Sequence, residues 1–132
     1  MKNSLRSLLM VTAVIELGAG LALLLTPSFF AAVLVGGPLE APASLAIARM
    51  MGAALVSLAI ACWWARDDAA SRTVRGVVLA MLVYNVGVIA VLLHARMGFS
   101  LHGIGFWPIG LLHTVLAIWC VRCLQAKDAS AA

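Results

Sequence analysis

Charged residues are scarce in this sequence. Asp, Glu, Lys and Arg make up 11% of the 132 residues, whereas soluble globular domains average about 25%. Apolar residues make up 64%, and the mean hydropathy is +1.10. Almost nothing remains between the apolar stretches for a soluble domain. The composition therefore excludes an ordinary soluble protein and predicts that residues 1–132 form a single integral membrane domain.

Several motifs of soluble enzymes are also missing. The sequence has no glycine-rich phosphate loop, no nucleophile elbow and no His-Glu-x-x-His zinc motif. Its net charge is +4, but most of the basic residues lie in the predicted loops and at the helix ends, as expected of a membrane protein, and they form no basic patch. We therefore assign no catalytic residue, expect no nucleic-acid partner and favour a non-enzymatic role.

Cysteine is rare, with three residues in the chain. Cys120 and Cys123 have the C-x-x-C spacing, but they lie near a helix end and not in the strand-to-helix setting of a redox motif. We interpret both, together with Cys62, as reduced thiols that serve as small apolar residues. Reversible thiol chemistry or acylation is the alternative.

Four apolar segments are long enough to cross a bilayer. A spanning helix needs about 20 apolar residues, and the segments cover residues 5–25, 44–65, 76–93 and 106–124. The basic residues before the first segment resemble a secretory signal, but Glu16 interrupts the apolar run. We therefore keep it as a helix and predict an all-α fold, a four-helix transmembrane bundle.

Basic residues are unevenly distributed between the predicted loops. Arg96 lies on one side of the membrane, whereas the other side carries seven basic residues: Lys2, Arg6, Arg66, Arg72, Arg75, Arg122 and Lys127. Positive residues are enriched on the cytoplasmic side. The sequence thus predicts cytoplasmic N and C termini and a multi-pass protein of a bacterial inner membrane.

Proline divides the outer connection between the first two segments. Pro27 ends the first helix because it lacks an N–H group and restricts Thr26 before it. Residues 28–35 are apolar but too short to span, so they lie in the outer interface or fold back onto the bundle. Pro42 suits the first turn of the second helix, and residues 94–105 form the outer loop.

Polar residues within the apolar segments fall at a similar depth. With a rise of about 1.5 Å per residue, Glu16, Asn85 and His113 lie about 14–16 Å from the cytoplasmic end of their helices. Arg49 lies about 24 Å from the cytoplasmic end of the second helix, and its long side chain can reach toward the depth of the other three residues. These four residues are the candidate polar centre. Tyr84 is next to Asn85 in the sequence but lies on a different face of the predicted helix.

Two interpretations of this centre remain open. The residues can satisfy one another, with Glu16 paired to Arg49 and Asn85 bonded to His113. Alternatively, Glu16 and His113 line a cavity, where they orient a polar headgroup or exchange protons. Membrane lipid, a homo-oligomer or a larger membrane complex are the expected partners, since small residues on the helices allow close packing.

Haem and other metals fit the sequence poorly. A bis-histidine haem needs two ligands at one depth, but His94 and His102 lie about 10 Å or more from His113. Glu16 and His113 alone are too few to hold a metal, and no Glu-x-x-His pair occurs. The cofactor is left open between a quinone and a lipid.

The segment Ala48-Arg49-Met50-Met51-Gly52, followed by an apolar run that ends Trp63-Trp64-Ala65-Arg66, resembles the Arg-x-x-Gly region of DoxX-like four-helix bacterial membrane proteins. Only Arg49 and Gly52 carry over, and neither is catalytic. The resemblance implies an accessory role beside quinone-linked or thiol-linked membrane oxidoreductases.

Glu16 is also similar to the glutamate of the first helix in small multidrug-resistance transporters. That family's dual-topology members lack the one-sided charge found here, and their other helix signatures are absent. The sequence therefore predicts a non-enzymatic accessory subunit or binder of a lipid-like or quinone-like ligand. An oxidoreductase component and a proton-coupled transporter that uses Glu16 are the alternatives.

Overall fold

The computed structural model describes residues 2–68 and 71–128. It contains five helices within these ranges and no strand: α1 (Lys2–Leu25), α2 (Pro27–Val35), α3 (Pro42–Ala65), α4 (Arg72–Phe99) and α5 (Phe106–Asp128). The four longer helices, α1, α3, α4 and α5, are long and apolar enough to cross a membrane. The all-α prediction and the four candidate spans are confirmed.

Proline sets the helix boundaries in the first half of the chain. Thr26 leaves the helical conformation at φ −134° and ψ 54°, directly before Pro27, as expected for a residue that precedes proline. Both α2 and α3 begin with proline in their first turn, where its missing N–H has no intrahelical partner to lose. The predicted position of Pro42 is confirmed.

Helix α4 is longer than the predicted segment 76–93. It begins after Ser71, whose side chain accepts a hydrogen bond from the Thr73 amide at 3.0 Å, and it ends before Ser100, which adopts a left-handed conformation. Hydropathy marks only the part of a helix that suits hydrocarbon, whereas the backbone continues until a cap stops it. Arg96 and His94 therefore lie on α4 and not in the predicted loop.

Two antiparallel helix pairs make up the bundle. Helix α1 packs most extensively on α3, and α4 packs on α5. The first pair crosses closely at two glycines, because a Cβ atom built on Gly20 would lie 2.8 Å from the Gly52 carbonyl oxygen, and the reverse distance is also 2.8 Å. Such close backbone approach is how lipid-immersed helices associate without a hydrophobic driving force.

The two pairs meet through fewer contacts, chiefly α1 with α5 and α3 with α4. We call the end of the bundle that holds the start of α1 and the end of α5 the terminal end, and the opposite end the α2 end. A tight apolar core fills the terminal half, with side chains that are at most 1% exposed: Leu8, Leu9, Cys62, Val78, Met81, Leu116 and Cys120. The terminal half is therefore closed by packed side chains.

Helix α2 folds back onto the bundle, the second of the two predicted placements. It contacts α1, α3 and α5 and buries Pro27 and Ala31. The loop before α5 forms two hydrogen bonds with the end of α2. The Gly103 amide donates to the Leu34 carbonyl at 3.0 Å, and the Gly105 amide donates to the Val33 carbonyl at 2.9 Å. These bonds satisfy carbonyl groups that the end of a helix leaves free.

We expect Gly103→Ala to loosen this attachment of α2. A Cβ atom at Gly103 would overlap the Val33 carbonyl oxygen, so the loop must move and the bonds to Leu34 and Val33 must lengthen. We expect a loss of about 1–3 kcal/mol in local stability, measured as faster hydrogen exchange at the Gly105 amide. Gly37→Ala is the matched control, because no atom lies within 4 Å of its Cβ position. Equal exchange in both variants would contradict the expectation.

Large apolar side chains cover the outer surface of the helices. Residues such as Val14, Met50 and Val83 are 65–72% exposed, which is the pattern expected of surfaces that face lipid. Tryptophans lie near both ends, with Trp64 at the terminal end and Trp107 at the α2 end, 78% and 71% exposed. The start of α1 is joined to the residues just after α3 by Arg6 and Asp67, whose side chains lie 3.2 Å apart.

Candidate functional site

A cavity of about 580 Å³ occupies the α2 half of the bundle. It lies on the far side of the packed terminal core, where the two helix pairs separate, and α2 contributes to its wall. All five helices line it, and its apolar lining residues are Ile15, Gly18, Ala19, Ala22, Leu23, Phe30, Leu34, Met51, Leu55, Gly87, Val88, Val91, Leu92, Ile109 and Leu112. Its volume is within the range of small-molecule sites, about 300–1,000 Å³.

Three polar side chains complete the lining, and all three lie at the end of the cavity nearest the packed core. They are Glu16 on α1, Tyr84 on α4 and His113 on α5. Glu16 is only 1% exposed. Tyr84 is its side-chain hydrogen-bonding partner, while Oε1 of Glu16 is buried without a hydrogen bond. An unpaired buried oxygen of this kind costs free energy unless something else binds it.

His113 is held by Asn85 on the neighbouring helix. Its Nδ1 lies 2.7 Å from Oδ1 of Asn85, and Nδ2 of Asn85 donates to the Met81 carbonyl at 2.7 Å. The imidazole also packs edge-on against Tyr84, with 5.7 Å between ring centroids and an angle of 78° between the ring planes. The orientation of His113 is therefore fixed from two sides, both formed by α4.

Arg49 does not join these residues. Its Nε donates to the Leu24 carbonyl at 3.3 Å, near the end of α1, where carbonyl groups lack intrahelical partners and a cation is favourable. Within residues 2–68 and 71–128, Arg6 and Arg66 form ion pairs with Asp67, whereas Glu16 forms no ion pair with Arg49. The structure therefore brings together Glu16, Asn85 and His113 of the predicted centre and leaves Arg49 outside it.

Tyr84 is the member of this cluster that was not included in the predicted centre. Tyr84 directly precedes Asn85, and adjacent residues of an α-helix point in different directions. Helix geometry alone therefore places the two side chains on different faces of α4. The cavity gives the Tyr84 ring room to reach Glu16 across the bundle. The available sequence signal was that this is the only tyrosine of the chain and lies within an apolar segment, where a hydroxyl group needs a partner.

The polar groups form one continuous row: Glu16, Tyr84, His113 and Asn85. A row of this kind at the end of an apolar cavity can bind the polar end of an otherwise apolar molecule. The cavity also reaches the surface of the helices, because four of its lining residues are exposed: Gly18, Met51, Gly87 and Val91. Since these positions lie in candidate spans, access is from the side that would face lipid.

Metal-binding groups are not clustered around the cavity. Among the residues that the structure describes, no three His, Cys, Asp or Glu side chains are close enough to hold a metal ion. His94 packs against Phe99, and His102 is exposed with Nδ1 2.9 Å from the Ser100 carbonyl oxygen. Cys62 and Cys120 belong to the packed core, and Sγ of Cys123 lies 3.9 Å from Oγ of Ser4. All three cysteines are free thiols.

The chain was also compared with known proteins. No protein-family model, curated protein or solved structure matches it. The similarity to DoxX-like proteins and the shared position of a glutamate with small multidrug-resistance transporters therefore stay predictions. The candidate site rests on its own geometry, which is an apolar cavity with an unpaired buried carboxyl oxygen and an oriented imidazole at one end.

Proposed function

We propose that the protein is a membrane-embedded binder of a lipophilic molecule with a polar end. The apolar part of the ligand occupies the cavity, and its polar end contacts Glu16 and His113. The observation that carries this proposal is Oε1 of Glu16, which is buried at the cavity without a hydrogen-bond partner. A group of this kind within a membrane span is expensive to keep, so it usually serves a function.

The packing of the terminal half favours binding over transport. A transporter needs a path for its substrate to both faces of the membrane, but fully buried apolar side chains fill the bundle between the cavity and the terminal end, among them Leu9, Val78 and Leu116. The same packing suits a site that is loaded from the lipid side. A non-enzymatic accessory role, in which the protein holds a lipid-like or quinone-like molecule for a larger membrane complex or as a homo-oligomer, agrees with this arrangement.

We further propose that the protein lies in a bacterial inner membrane with both termini in the cytoplasm. Support comes from the positive-inside rule. Five arginines lie at the terminal end, namely Arg6, Arg66, Arg72, Arg75 and Arg122, whereas Arg96 is in the last turn of α4 at the α2 end and Arg49 contacts the Leu24 carbonyl near the same end. The cavity then lies in the outer half of the bilayer.

The first test is to identify the small molecules that copurify with the protein. Mass spectrometry and an absorption spectrum should reveal one molecular class enriched above bulk lipid in the wild type. We expect Glu16→Gln to reduce that class by about tenfold or more, because the change removes a carboxyl oxygen from a buried polar contact. Glutamine keeps the shape of the side chain, so folding should be retained.

Glu40→Gln is the matched control for this experiment. It makes the same chemical change at an exposed glutamate in the connection between α2 and α3, so ligand content should equal that of the wild type. If all three proteins fold alike and carry only bulk lipid, the polar row is structural and the proposed binding function is wrong.

A further inference from the structure

The side-chain amide of Asn85 has one orientation that satisfies both of its neighbours. Nδ2 donates to the Met81 carbonyl and Oδ1 faces His113. The flipped amide would place its oxygen against the Met81 carbonyl oxygen, where neither atom can donate. Asn85 therefore presents an oxygen to His113, and an amide oxygen only accepts hydrogen bonds.

This orientation determines which nitrogen of His113 carries a hydrogen. Because Oδ1 of Asn85 can only accept, Nδ1 of His113 must donate across the 2.7 Å contact. In the neutral ring the other nitrogen, Nε2, is then a hydrogen-bond acceptor. No further hydrogen bond of His113 occurs among the described residues, and the ring lines the cavity. Nε2 is thus free to accept a hydrogen bond from a molecule in the cavity.

A second polar atom at the same end of the cavity also has no partner. Glu16 is 1% exposed, and its Oε1 makes no hydrogen bond, while the Tyr84 hydroxyl is engaged with the same carboxyl group. The remaining lining of the cavity is apolar. The two atoms left for a ligand are a nitrogen that accepts and a carboxyl oxygen that accepts in its ionised form.

We propose that the polar end of the ligand is a hydrogen-bond donor to Nε2 of His113, with Glu16 as the second contact. This inference rests on the proposed function and names the ligand class: a hydroxyl group on an apolar skeleton, such as an alkylphenol or a hydroquinone. Molecules whose polar end only accepts, such as quinones, esters and ethers, bind less well. Of a quinone and its reduced form, the site selects the reduced form. Asn85 is a positioning residue that acts through His113.

The nitrogen assignment can be tested on the wild-type protein without a ligand. We expect the ¹⁵N spectrum of imidazole-labelled wild type, reconstituted in phosphatidylcholine nanodiscs, to show a protonated Nδ1 and an unprotonated Nε2 for His113. A spectrum with Nε2 protonated, either alone or together with Nδ1, would overturn the proposal. His113→Leu identifies the resonance, because the other two histidines remain in that variant.

Ligand selectivity is tested with a matched pair of probes, 4-nonylphenol and its methyl ether. The two differ by the single hydroxyl donor, and phosphatidylcholine has no hydrogen-bond donor in its headgroup to compete. We expect the wild type to bind the phenol about tenfold or more tightly than the ether, after subtraction of the partitioning measured in empty nanodiscs. His113→Leu should reduce this ratio to about one, and Asn85→Leu should reduce it to a few-fold.

The outcomes test two claims separately: the requirement that the ligand donates a hydrogen bond, which we call the donor rule, and the proposed function. Equal binding of phenol and ether to the wild type would overturn the donor rule and leave a lipophilic site in place. Failure of both probes to bind, together with no copurifying molecule, would overturn the proposed function itself. Dodecylammonium distinguishes a cationic donor from a neutral one, because its binding would fall sharply in Glu16→Gln whereas phenol binding would fall less. Ammonium binding without phenol binding would contradict the assignment to a hydroxyl ligand.

Discussion

Gly20→Ala and Gly52→Ala should each destabilise the protein by about 2 kcal/mol or more. The added methyl group at either position would lie 2.8 Å from a backbone carbonyl oxygen of the partner helix, and at Gly52 also 2.9 Å from the Leu24 amide nitrogen. Backbone atoms cannot rotate away, so the α1 and α3 axes must separate along their whole crossing. Unfolding in mixed detergent, followed by circular dichroism, measures the loss of stability.

Gly18→Ala is the control for this pair. It lies two residues before Gly20 on the same helix, but no atom lies within 4 Å of its Cβ position. Alanine there should be neutral or stabilising by about 0.5–1 kcal/mol, because it reduces the backbone entropy lost on folding. If Gly18→Ala and Gly20→Ala unfold alike, the close crossing of α1 and α3 is wrong.

Gly87→Leu should prevent ligand binding without loss of stability. Gly87 lines the cavity on α4, and the space around its Cβ position is open. A leucine side chain can therefore occupy part of the cavity without displacing another group, and helix propensity favours leucine over glycine by about 0.5–1 kcal/mol. We expect the copurifying ligand, and binding of nonylphenol, to fall by about tenfold or more while the unfolding midpoint stays at or above that of the wild type.

Gly76→Leu provides the matched comparison on the same helix. Gly76 is also exposed with no atom within 4 Å of its Cβ position, but it lies near the start of α4 and away from the cavity. The same gain in helix propensity should appear there with ligand content unchanged. Equal ligand content in Gly87→Leu and Gly76→Leu would place the ligand outside the cavity, whatever Glu16→Gln does.

Hydropathy and proline were sufficient to predict the four candidate spans and the break at Pro27, since both are local properties of the chain. They were not sufficient for α2, because nine apolar residues are too few to distinguish a helix from an extended interfacial segment. Its hydrogen bonds to Gly103 and Gly105 come from a loop about 70 residues later in the sequence. No local pattern reports such a contact.

The candidate site shows the same division between local and distant information. The constant rise per residue of a helix predicted that Glu16, Asn85 and His113 lie at one depth. In the structure these residues belong to one row of polar groups. The partner of Arg49 depends on how α1 and α3 are aligned, and the Gly20–Gly52 crossing sets that alignment. Arg49 consequently meets the Leu24 carbonyl near the end of α1. The reach of Tyr84 to Glu16 depends on the gap between the helix pairs, which a helical wheel does not contain.

The division of the bundle into α1–α3 and α4–α5 also has a consequence for biosynthesis. Each tight pair is formed by neighbouring parts of the chain, so each can assemble as a helical hairpin soon after it leaves the ribosome and inserts. The row that joins Glu16 to His113 draws on both hairpins, and the α4–α5 hairpin that carries His113 is made after the α1–α3 hairpin. The cavity therefore becomes complete only when the second hairpin docks on the first, and the proposed ligand, if present at that moment, would stabilise the docked form.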